Sequence, residues 1–189
     1  MSNLRTNVPI GAHWVLWTPG ISGGVETNLG FTAEGVVINI AATQVERTVH
    51  ELAAPFDAVL DDISITSDII LKEVDFDKLA AALNGIKTTV AGPPAKTGFD
   101  LSPARGVQAN FGKLVFRPRS LTGLGGTDFS KDKTIHNAMV MGSSDRIFRA
   151  NEDNTITLSV KAGAHWDSVA SKWRMYTEGD PTAHGGFTI

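Results

Sequence analysis

Apolar and polar residues alternate over residues 35–49, GVVINIAATQVERTV, and this period of two predicts a β-strand. One face of the predicted strand is apolar and carries Val36, Ile38, Ile40 and Ala42. The opposite face carries Asn39 and Thr43. We expect the apolar face to lie against a protein core.

A second strand with two different faces is predicted over residues 62–74, DISITSDIILKEV. Ile63 and Ile65 share one face of it. The other face is a polar row of four side chains, Asp62, Ser64, Thr66 and Asp68. The connection over residues 50–62 contains Pro55, and we predict that the two strands on either side of it pair.

The segment that follows changes period and predicts one short helix over about residues 75–84. Asp75 is a suitable N-cap, and Gly85 suits the left-handed position after the last turn. The apolar side chains recur at helical spacing, at Phe76, Leu79, Ala80 and Leu83. Because such a short helix is not stable alone in water, we predict that Phe76, Leu79 and Leu83 pack it on the sheet.

Short strand patterns continue along the rest of the chain. They cover residues 86–90, 107–118, 134–142, 146–150 and 155–162, while 91–106 and 119–133 are predicted as loops. About seven strands with turn residues between them predict a mainly β protein. The expected architecture is an antiparallel β-sandwich or barrel with one short flanking α-helix and extended N- and C-terminal arms.

The predicted domain is a single unit that spans residues 1–189, with a β core over 31–162. The N-terminal arm covers residues 1–30 and the C-terminal arm residues 163–189. All four tryptophans lie in these arms: Trp14, Trp17, Trp166 and Trp173. A helix over WDSVASKW would place Trp166, Val169, Ala170 and Trp173 on one face. These aromatic residues either tie the arms to the protein's own core or anchor neighbouring subunits, where Trp is enriched.

Composition narrows the functional classes. The chain of 189 residues is 42% hydrophobic and has a formal net charge of −3, so it can form a core and has no general attraction to nucleic acid. The absence of cysteine excludes disulfides and Cys-based zinc sites. No apolar run approaches the ~20 residues of a membrane span, and the N-terminal residues lack a signal-peptide pattern. We therefore expect a soluble protein made in a reducing cytoplasm.

Candidate catalytic and ligand-binding residues are scarce. The five histidines are scattered, and no catalytic serine motif or phosphate-binding loop is present. The carboxylates between Asp61 and Asp77 do not have the spacing of a calcium loop. Four arginines lie near strand ends, namely Arg117, Arg119, Arg146 and Arg149. Each of them contacts phosphate, is solvated or pairs with an acidic neighbour. We predict no enzyme activity, no cofactor and no metal site.

The order of elements carries a resemblance to a known family. Residues 61–85 read DDISITSDIILKEVDFDKLAAALNG, in which a long strand pair leads through Leu-x-Glu to a small helix that ends near Gly. Residues 113–119, KLVFRPR, and 129–162, FSKDKTIHNAMVMGSSDRIFRANEDNTITLSVKA, follow as further strands. Over roughly residues 35–165 the chain resembles the major tail tube proteins of long-tailed bacteriophages.

That resemblance implies a structural virion protein. Subunits of the family close into hexameric rings whose sheets join into one barrel, and the rings stack into a tail tube through which DNA passes. The implied partners are further copies of the chain, the tape measure protein, the tail terminator and the tail-tip or baseplate proteins, with no membrane. The implied location is the virion tail, after assembly in the host cytoplasm.

A tube that conducts DNA should not bind it. Because Lys and Arg side chains create affinity for phosphate, a lumen with few cations lets the duplex slide. The candidate lumen-facing residues are the polar rows of the two paired strands: Asn39, Thr43, Asp62, Ser64, Thr66 and Asp68. The alternative is that these rows face solvent or a neighbouring subunit.

Other functional classes remain as alternatives. A related secretion-tube subunit or a phage capsid decoration protein would also be structural. Decoration proteins typically form compact trimers, so the symmetry of the assembly distinguishes them. A monomeric carbohydrate-binding β-sandwich would need exposed aromatic side chains on a sheet face, whereas the tryptophans here lie in the arms and the middle strands are aliphatic. A hydrolase would need catalytic residues that the sequence does not contain in a recognisable pattern.

Overall fold

The computed structural model describes residues 12–20, 24–48, 55–72, 77, 80, 86–100, 111–118, 129–141, 146–147, 155–180 and 183. These residues form thirteen strands. In chain order they are β1 (His13–Pro19), β2 (Thr27–Thr32), β3 (Val37–Thr48), β4 (Pro55–Lys72), β5 (Ile86–Val90), β6 (Lys96–Asp100), β7 (Phe111–Pro118), β8 (Lys133–Met141), β9 (Arg146–Ile147), β10 (Thr155–Ala162), β11 (His165–Asp167), β12 (Lys172–Arg174) and β13 (Tyr176–Glu178). The predicted mainly β, antiparallel structure is confirmed.

Six of the strands pair with one another in a closed circuit. Going round it, β1 pairs with β2, β2 with β4, β4 with β10, β10 with β8, β8 with β7, and β7 with β1 again, each pair antiparallel. Each of the six strands therefore has a hydrogen-bonded neighbour on both sides over part of its length. The circuit protects most of its own edges.

All six strands of the circuit contribute to one apolar core. Its largest fully buried side chains include Trp17 from β1, Leu29 from β2 and Phe116 from β7. Strand β10 shows the predicted alternation most clearly, because Ile156, Leu158 and Val160 are buried while the residues between them are not. Full burial of one such aliphatic side chain contributes about 1.5–3 kcal/mol. The core thus holds the circuit together from within.

Strand β3 and the first part of β4 extend beyond the circuit as a pair. Strand β3 pairs with β4 along its whole length, as the two-strand prediction required, and β3 has no second partner among the described strands. Strand β4 is 18 residues long, but β10 and β2 contact only its residues 66–72. Residues 40–48 and 55–65 therefore form a two-stranded segment outside the circuit, which we call the ribbon.

The predicted N-terminal arm is wrong for residues 13–19 and 27–32. These residues form β1 and β2, which lie in the middle of the sheet, and Trp17 has no exposed surface. Strand β1 is buried at most positions on both faces, so it lacks the alternation by which a strand is recognised. Residues 13–19 contain two tryptophans and no alternation, and for this reason the sequence did not predict a strand there.

The predicted helical face over residues 166–173 is also wrong. Strands β11 and β12 form a hairpin in which Trp166 pairs with Trp173, and its turn contains Ser171 at a φ of 50°. The next strand, β13, joins the main sheet through β8. A spacing of three and four residues fits a hairpin as well as a helix when the turn between the strands is short.

Two further predictions have different outcomes. The predicted loop over residues 91–106 contains β6, which pairs with β5 in a separate two-stranded sheet. The short helix is not confirmed: Phe76, Leu79 and Leu83 lie outside the described residues. Within the predicted span, Asp77 and Ala80 are described, and both have helical conformation.

A close approach between β1 and β7 depends on glycine. Gly112 pairs with Pro19, and the adjacent Gly20 N–H donates to the carbonyl of Phe111 at 2.9 Å. A Cβ atom on Gly112 would overlap the carbonyl oxygen of Thr18, which is backbone and cannot rotate away. The two strands can pair at this end only because residue 112 has no side chain.

We expect Gly112→Ala to lower the free energy of unfolding by about 1–3 kcal/mol, because the added methyl group must push two paired strands apart. The matched control is Gly98→Ala in β6, where an added Cβ meets no atom within 4 Å. Urea unfolding followed by tryptophan fluorescence measures both. Equal midpoints for the two variants would contradict the close approach.

Candidate functional site

The ribbon has one apolar and one polar face at its base. The register pairs Ile40 with Ile65, Ala42 with Ile63, and Gln44 with Leu60, so these side chains share a face. A bulge at Asp61 restores the alternation between Ile63 and Leu60. We call this surface the apolar face of the ribbon; its exposed members are Ile40, Ala42, Gln44, Leu60 and Ile63.

The apolar face continues directly from the core. Ile65 is buried, and Ile38 packs against the core cluster. Further out along the ribbon the same face becomes exposed, with 56% of Ile40 and 51% of Leu60 accessible to solvent. The face therefore runs out of the core into water without any described residue to cover it.

The polar face contains all six of the predicted lumen residues. Asn39 pairs with Thr66, and Thr43 pairs with Asp62. Ser64 and Asp68 lie on the same face because they alternate with these residues along β4. The six residues are Asn39, Thr43, Asp62, Ser64, Thr66 and Asp68. Ser64 is half-buried, and the other five are exposed. The structure thus brings these residues together on one surface.

The polar face extends onto the neighbouring strand. Ser159 of β10 pairs with Asp68, and its hydroxyl donates to the Asp68 carboxylate at 2.6 Å. Lys161, which is also on β10, pairs with Thr66 of β4. The polar surface therefore spans three adjacent strands, β3, β4 and β10.

The backbone of the ribbon has two open edges. Among the described strands, β3 has no neighbour on the side away from β4, and residues 55–65 of β4 have none on the side away from β3. Such edges expose unpaired N–H and C=O groups that can pair with another strand. The ribbon can accept a strand on either side.

The charge of the ribbon is acidic. Over residues 40–48 and 55–65 it carries four carboxylates, at Glu46, Asp57, Asp61 and Asp62, and one cation, Arg47, which is the register partner of Asp57. A surface of this kind repels phosphate.

The four tryptophans have different environments. Trp17 is fully buried in the core of its own chain, and Trp14 is half-buried, edge-on to Phe31 with ring centroids 5.9 Å apart. Trp166 and Trp173 are exposed. Attachment to the protein's own core therefore describes Trp17, whereas the last two tryptophans have free surface.

A second cluster of polar side chains lies around β7, β8 and the C-terminal strands. Arg117 donates from Nε and Nη2 to the Asp132 carboxylate, with the shortest distance 2.8 Å, and both residues are largely buried. The Arg117 guanidinium also stacks 4.5 Å from the centroid of Phe129. Of the roles considered for this arginine, the ion pair with an acidic neighbour is confirmed.

The C-terminal strands contribute a second buried ion pair. Arg174 lies 2.9 Å from the Asp167 carboxylate, and both are buried. Backbone N–H donation from Ala170, together with that from Val169 and the charge of Arg174, holds the pKa of Asp167 below its usual value. The carboxylate therefore stays charged and fixes the turn between β11 and β12.

A cavity of about 130 Å³ lies between these two ion pairs. Its lining includes Arg117, Asp132, His136, Arg174 and Thr177. His136 Nε2 lies 3.0 Å from Thr177 Oγ1, and the backbone N–H of His136 donates to the Met175 carbonyl at 3.0 Å. The cavity thus marks where the C-terminal strands attach to β8.

Burial and, to a smaller extent, the positive charge of Arg174 lower the pKa of His136 to about 4. The Asp167 carboxylate opposes this shift. Burial also lowers the pKa of Lys113 at the cavity wall, against the opposing effect of Glu26. His136 is therefore neutral at physiological pH. A neutral imidazole can hydrogen-bond to Thr177 Oγ1.

No group of three or more His, Asp or Glu side chains in the described part of the chain is placed to hold a metal ion. No helix within the described ranges has the length and apolar character that crossing a membrane requires.

Similarity to known proteins is found at the level of structure. No protein-family model matches the chain, and no curated protein matches it. The chain is similar to a chain in the cryo-EM structure of the anti-feeding prophage (AFP) baseplate, 6-fold symmetrised, with 11% sequence identity and a TM-score of 0.47. The match covers 94% of this chain and 96% of that one. A likeness at this level carries no argument about function.

Sequence reasoning missed the cluster around His136. Its members come from β7, β8, β11, β12 and β13 and from the turn before β8, and Arg117, His136 and Arg174 are far apart in sequence. The apolar run around Lys113 and Arg117 was the available signal, because a charged residue inside a buried strand requires a partner.

The stability of the protein should fall as the pH decreases from 6.5 towards 4, because His136 takes up its proton more readily in the unfolded chain. The full contribution of this group is about 3 kcal/mol, present above pH 6.5 and lost below about pH 4. His136→Gln keeps a polar side chain but removes the titration. Urea unfolding at several pH values should show a flatter pH dependence for the variant; an unchanged slope would rule out His136 as the cause.

Replacing Asp132 by Ala should lower the free energy of unfolding by about 3–5 kcal/mol, since the buried Arg117 would lose its counter-charge. The double variant Arg117→Met with Asp132→Ala removes both charges and should recover part of that loss. Urea midpoints of the two variants give the comparison. If the double variant is the less stable one, the ion pair does not act as described.

Proposed function

We propose that this chain is a structural subunit that assembles with copies of itself, without catalytic activity. The observation that carries the proposal is the ribbon, with an exposed apolar face that continues the core and two open edges. An isolated two-stranded ribbon is only marginally stable in water. A protein that keeps one outside its closed circuit of strands has a use for it in assembly.

Contact between copies would pair the open edges of the ribbon and cover its exposed apolar face. A neighbouring strand would satisfy the open backbone groups, and a neighbouring surface would cover Ile40, Leu60 and Ile63. Covering apolar surface contributes roughly 25 cal/mol per Å². Because the ribbon of one copy meets a different surface of the next, the contact is head-to-tail and can close into a ring.

We infer a more specific assembly from the sequence resemblance. In this proposal the closed circuit is a small β-barrel, and six copies of the chain form a ring. Such rings stack into the tail tube of a long-tailed bacteriophage. The polar face across β3, β4 and β10 would line the lumen. Its acidic ribbon residues would repel DNA phosphates, and the exposed Lys161 of β10 would be a cation on the same face. A lining in which carboxylates outnumber cations would let the duplex pass.

The proposed partners and location follow from this assembly. They are further copies of the chain, the tape measure protein, the tail terminator and the tail-tip or baseplate proteins, within the virion tail. The assembly would form in the host cytoplasm.

One observation bears on the carbohydrate-binding alternative. Trp166 and Trp173 are exposed, as such a module requires, but their rings meet at an interplanar angle of 66°. Sugar rings stack on the flat face of an aromatic side chain, and this edge-on pair presents no shared flat platform. The geometry favours a protein contact over a glycan.

The double variant Ile40→Ser with Leu60→Ser should remain folded but lose self-assembly, because both side chains are about half exposed in the single chain. If each substitution removes about 1 kcal/mol of binding free energy, the two together raise the dissociation constant of one contact by roughly 30-fold. Light scattering after size-exclusion chromatography and electron microscopy of concentrated protein measure the assembly.

The matched control for this test is Thr43→Ala with Thr66→Ala on the polar face of the same strands. It should assemble as the unaltered chain does. A wild-type protein that stays monomeric at high concentration, even with tail-initiation proteins present, would refute the proposal.

A further inference from the structure

The cavity between the two buried ion pairs has room for a small molecule. Its volume is about 130 Å³, and a protein cavity of about 150 Å³ is large enough to hold benzene. Arg117, His136 and Arg174 in its lining are buried, whereas Glu26 in the same lining is exposed. A ligand can therefore enter beside Glu26 and reach the three buried side chains.

The ion pair with Asp132 uses only one side of the Arg117 guanidinium. Asp132 accepts from Nε at 3.0 Å and from Nη2 at 2.8 Å. Nη1 lies on the other side of the planar group and carries two further N–H donors. Because Arg117 lines the cavity, these two donors are available to an acceptor inside it.

The cavity wall carries one positive charge in addition to the two ion pairs, each of which is neutral as a pair. This charge is Lys113, which is half-buried. Burial lowers its pKa, and the opposing charge of Glu26 comes from an exposed side chain that solvent screens. A negative charge inside the cavity would therefore stabilise the Lys113 ammonium group.

The electrostatic potential at His136, on the same lining, is positive. Burial is the main cause of its low pKa, and the charges of Arg174, His165 and Lys113 lower that pKa further. Only the Asp167 carboxylate acts in the opposite direction. The positive charges outweigh the negative one at this point, so the cavity favours an anionic ligand over a cationic one.

The lining also contains apolar side chains, Val115 and Phe129. The Phe129 ring centroid lies 4.5 Å from Cζ of Arg117, so apolar surface is present next to the guanidinium. A ligand that fits both features has one anionic end and a short apolar part. The planar fork of a guanidinium matches the two oxygens of a carboxylate.

We propose that this cavity binds a small monocarboxylate. The carboxylate accepts N–H groups from Nη1 of Arg117 and lies close to the Lys113 ammonium group. The short apolar part of the ligand contacts Val115 and Phe129. This inference does not depend on the proposed self-assembly, because every residue that it uses belongs to a single copy of the chain.

Butyrate and butyramide are matched probes for this site, because they have nearly the same shape and only butyrate is charged. An NMR titration of the whole chain at pH 7 measures the binding of each. Butyrate should bind with saturation at one site per chain, and butyramide should bind at least about 10-fold more weakly. Equal binding of the two probes, or no butyrate binding at about 20 mM, would overturn the inference.

Two further measurements locate the bound butyrate. Lys113→Met should weaken its binding by about 10-fold or more, whereas Lys172→Met, at an exposed lysine outside the cavity lining, should leave binding unchanged. The imidazole signal of His136, identified by its loss in His136→Gln, should shift as butyrate saturates.

Undiminished butyrate binding by Lys113→Met would place the site elsewhere and overturn the inference, and so would an unshifted His136 signal. If Lys113→Met does not fold, the His136 signal of the unaltered chain decides. Failure of these tests leaves the proposed self-assembly untouched, because assembly is measured separately by light scattering.

Discussion

The pairing of β10 with β8 is the interaction on which the rest of the structure depends. Residues 159–162 of β10 pair with residues 138–141 of β8, and this contact closes the circuit of six strands. Closure encloses the apolar core and protects the strands that form it. It also leaves no place within the circuit for β3, so that β3 and the first part of β4 must extend outwards as a ribbon.

The C-terminal strands add a polar layer to this closed unit. Two buried ion pairs, Arg117 with Asp132 and Arg174 with Asp167, and the neutral His136 lie where the C-terminal strands meet β7 and β8. Buried charges are stable only when they are paired. In the hairpin of β11 and β12 the buried Asp167 and Arg174 lie on one side, and the alternate residues Trp166 and Trp173 are exposed on the other.

Prediction from the sequence succeeded where two faces of a strand differ in polarity. The pairing of β3 with β4 and the two sides of β10 were recognisable because only one face of each is apolar. It failed for β1, which is buried at most positions on both faces, and for β11 and β12, whose residues also fit a helical spacing. The cluster around His136 joins strands that are distant in sequence, so local patterns do not contain it.

The sequence by itself determined the mainly β composition, the polar and apolar rows of the ribbon, and the absence of cysteine chemistry. Alternation along one strand is a local property, and it depends only on the residues of that strand. Only the tertiary structure decided that Trp17 is buried while Trp166 and Trp173 are exposed, and that the apolar row of the ribbon leaves the core. Exposure depends on which strands become neighbours, and those neighbours come from parts of the chain that no local pattern connects.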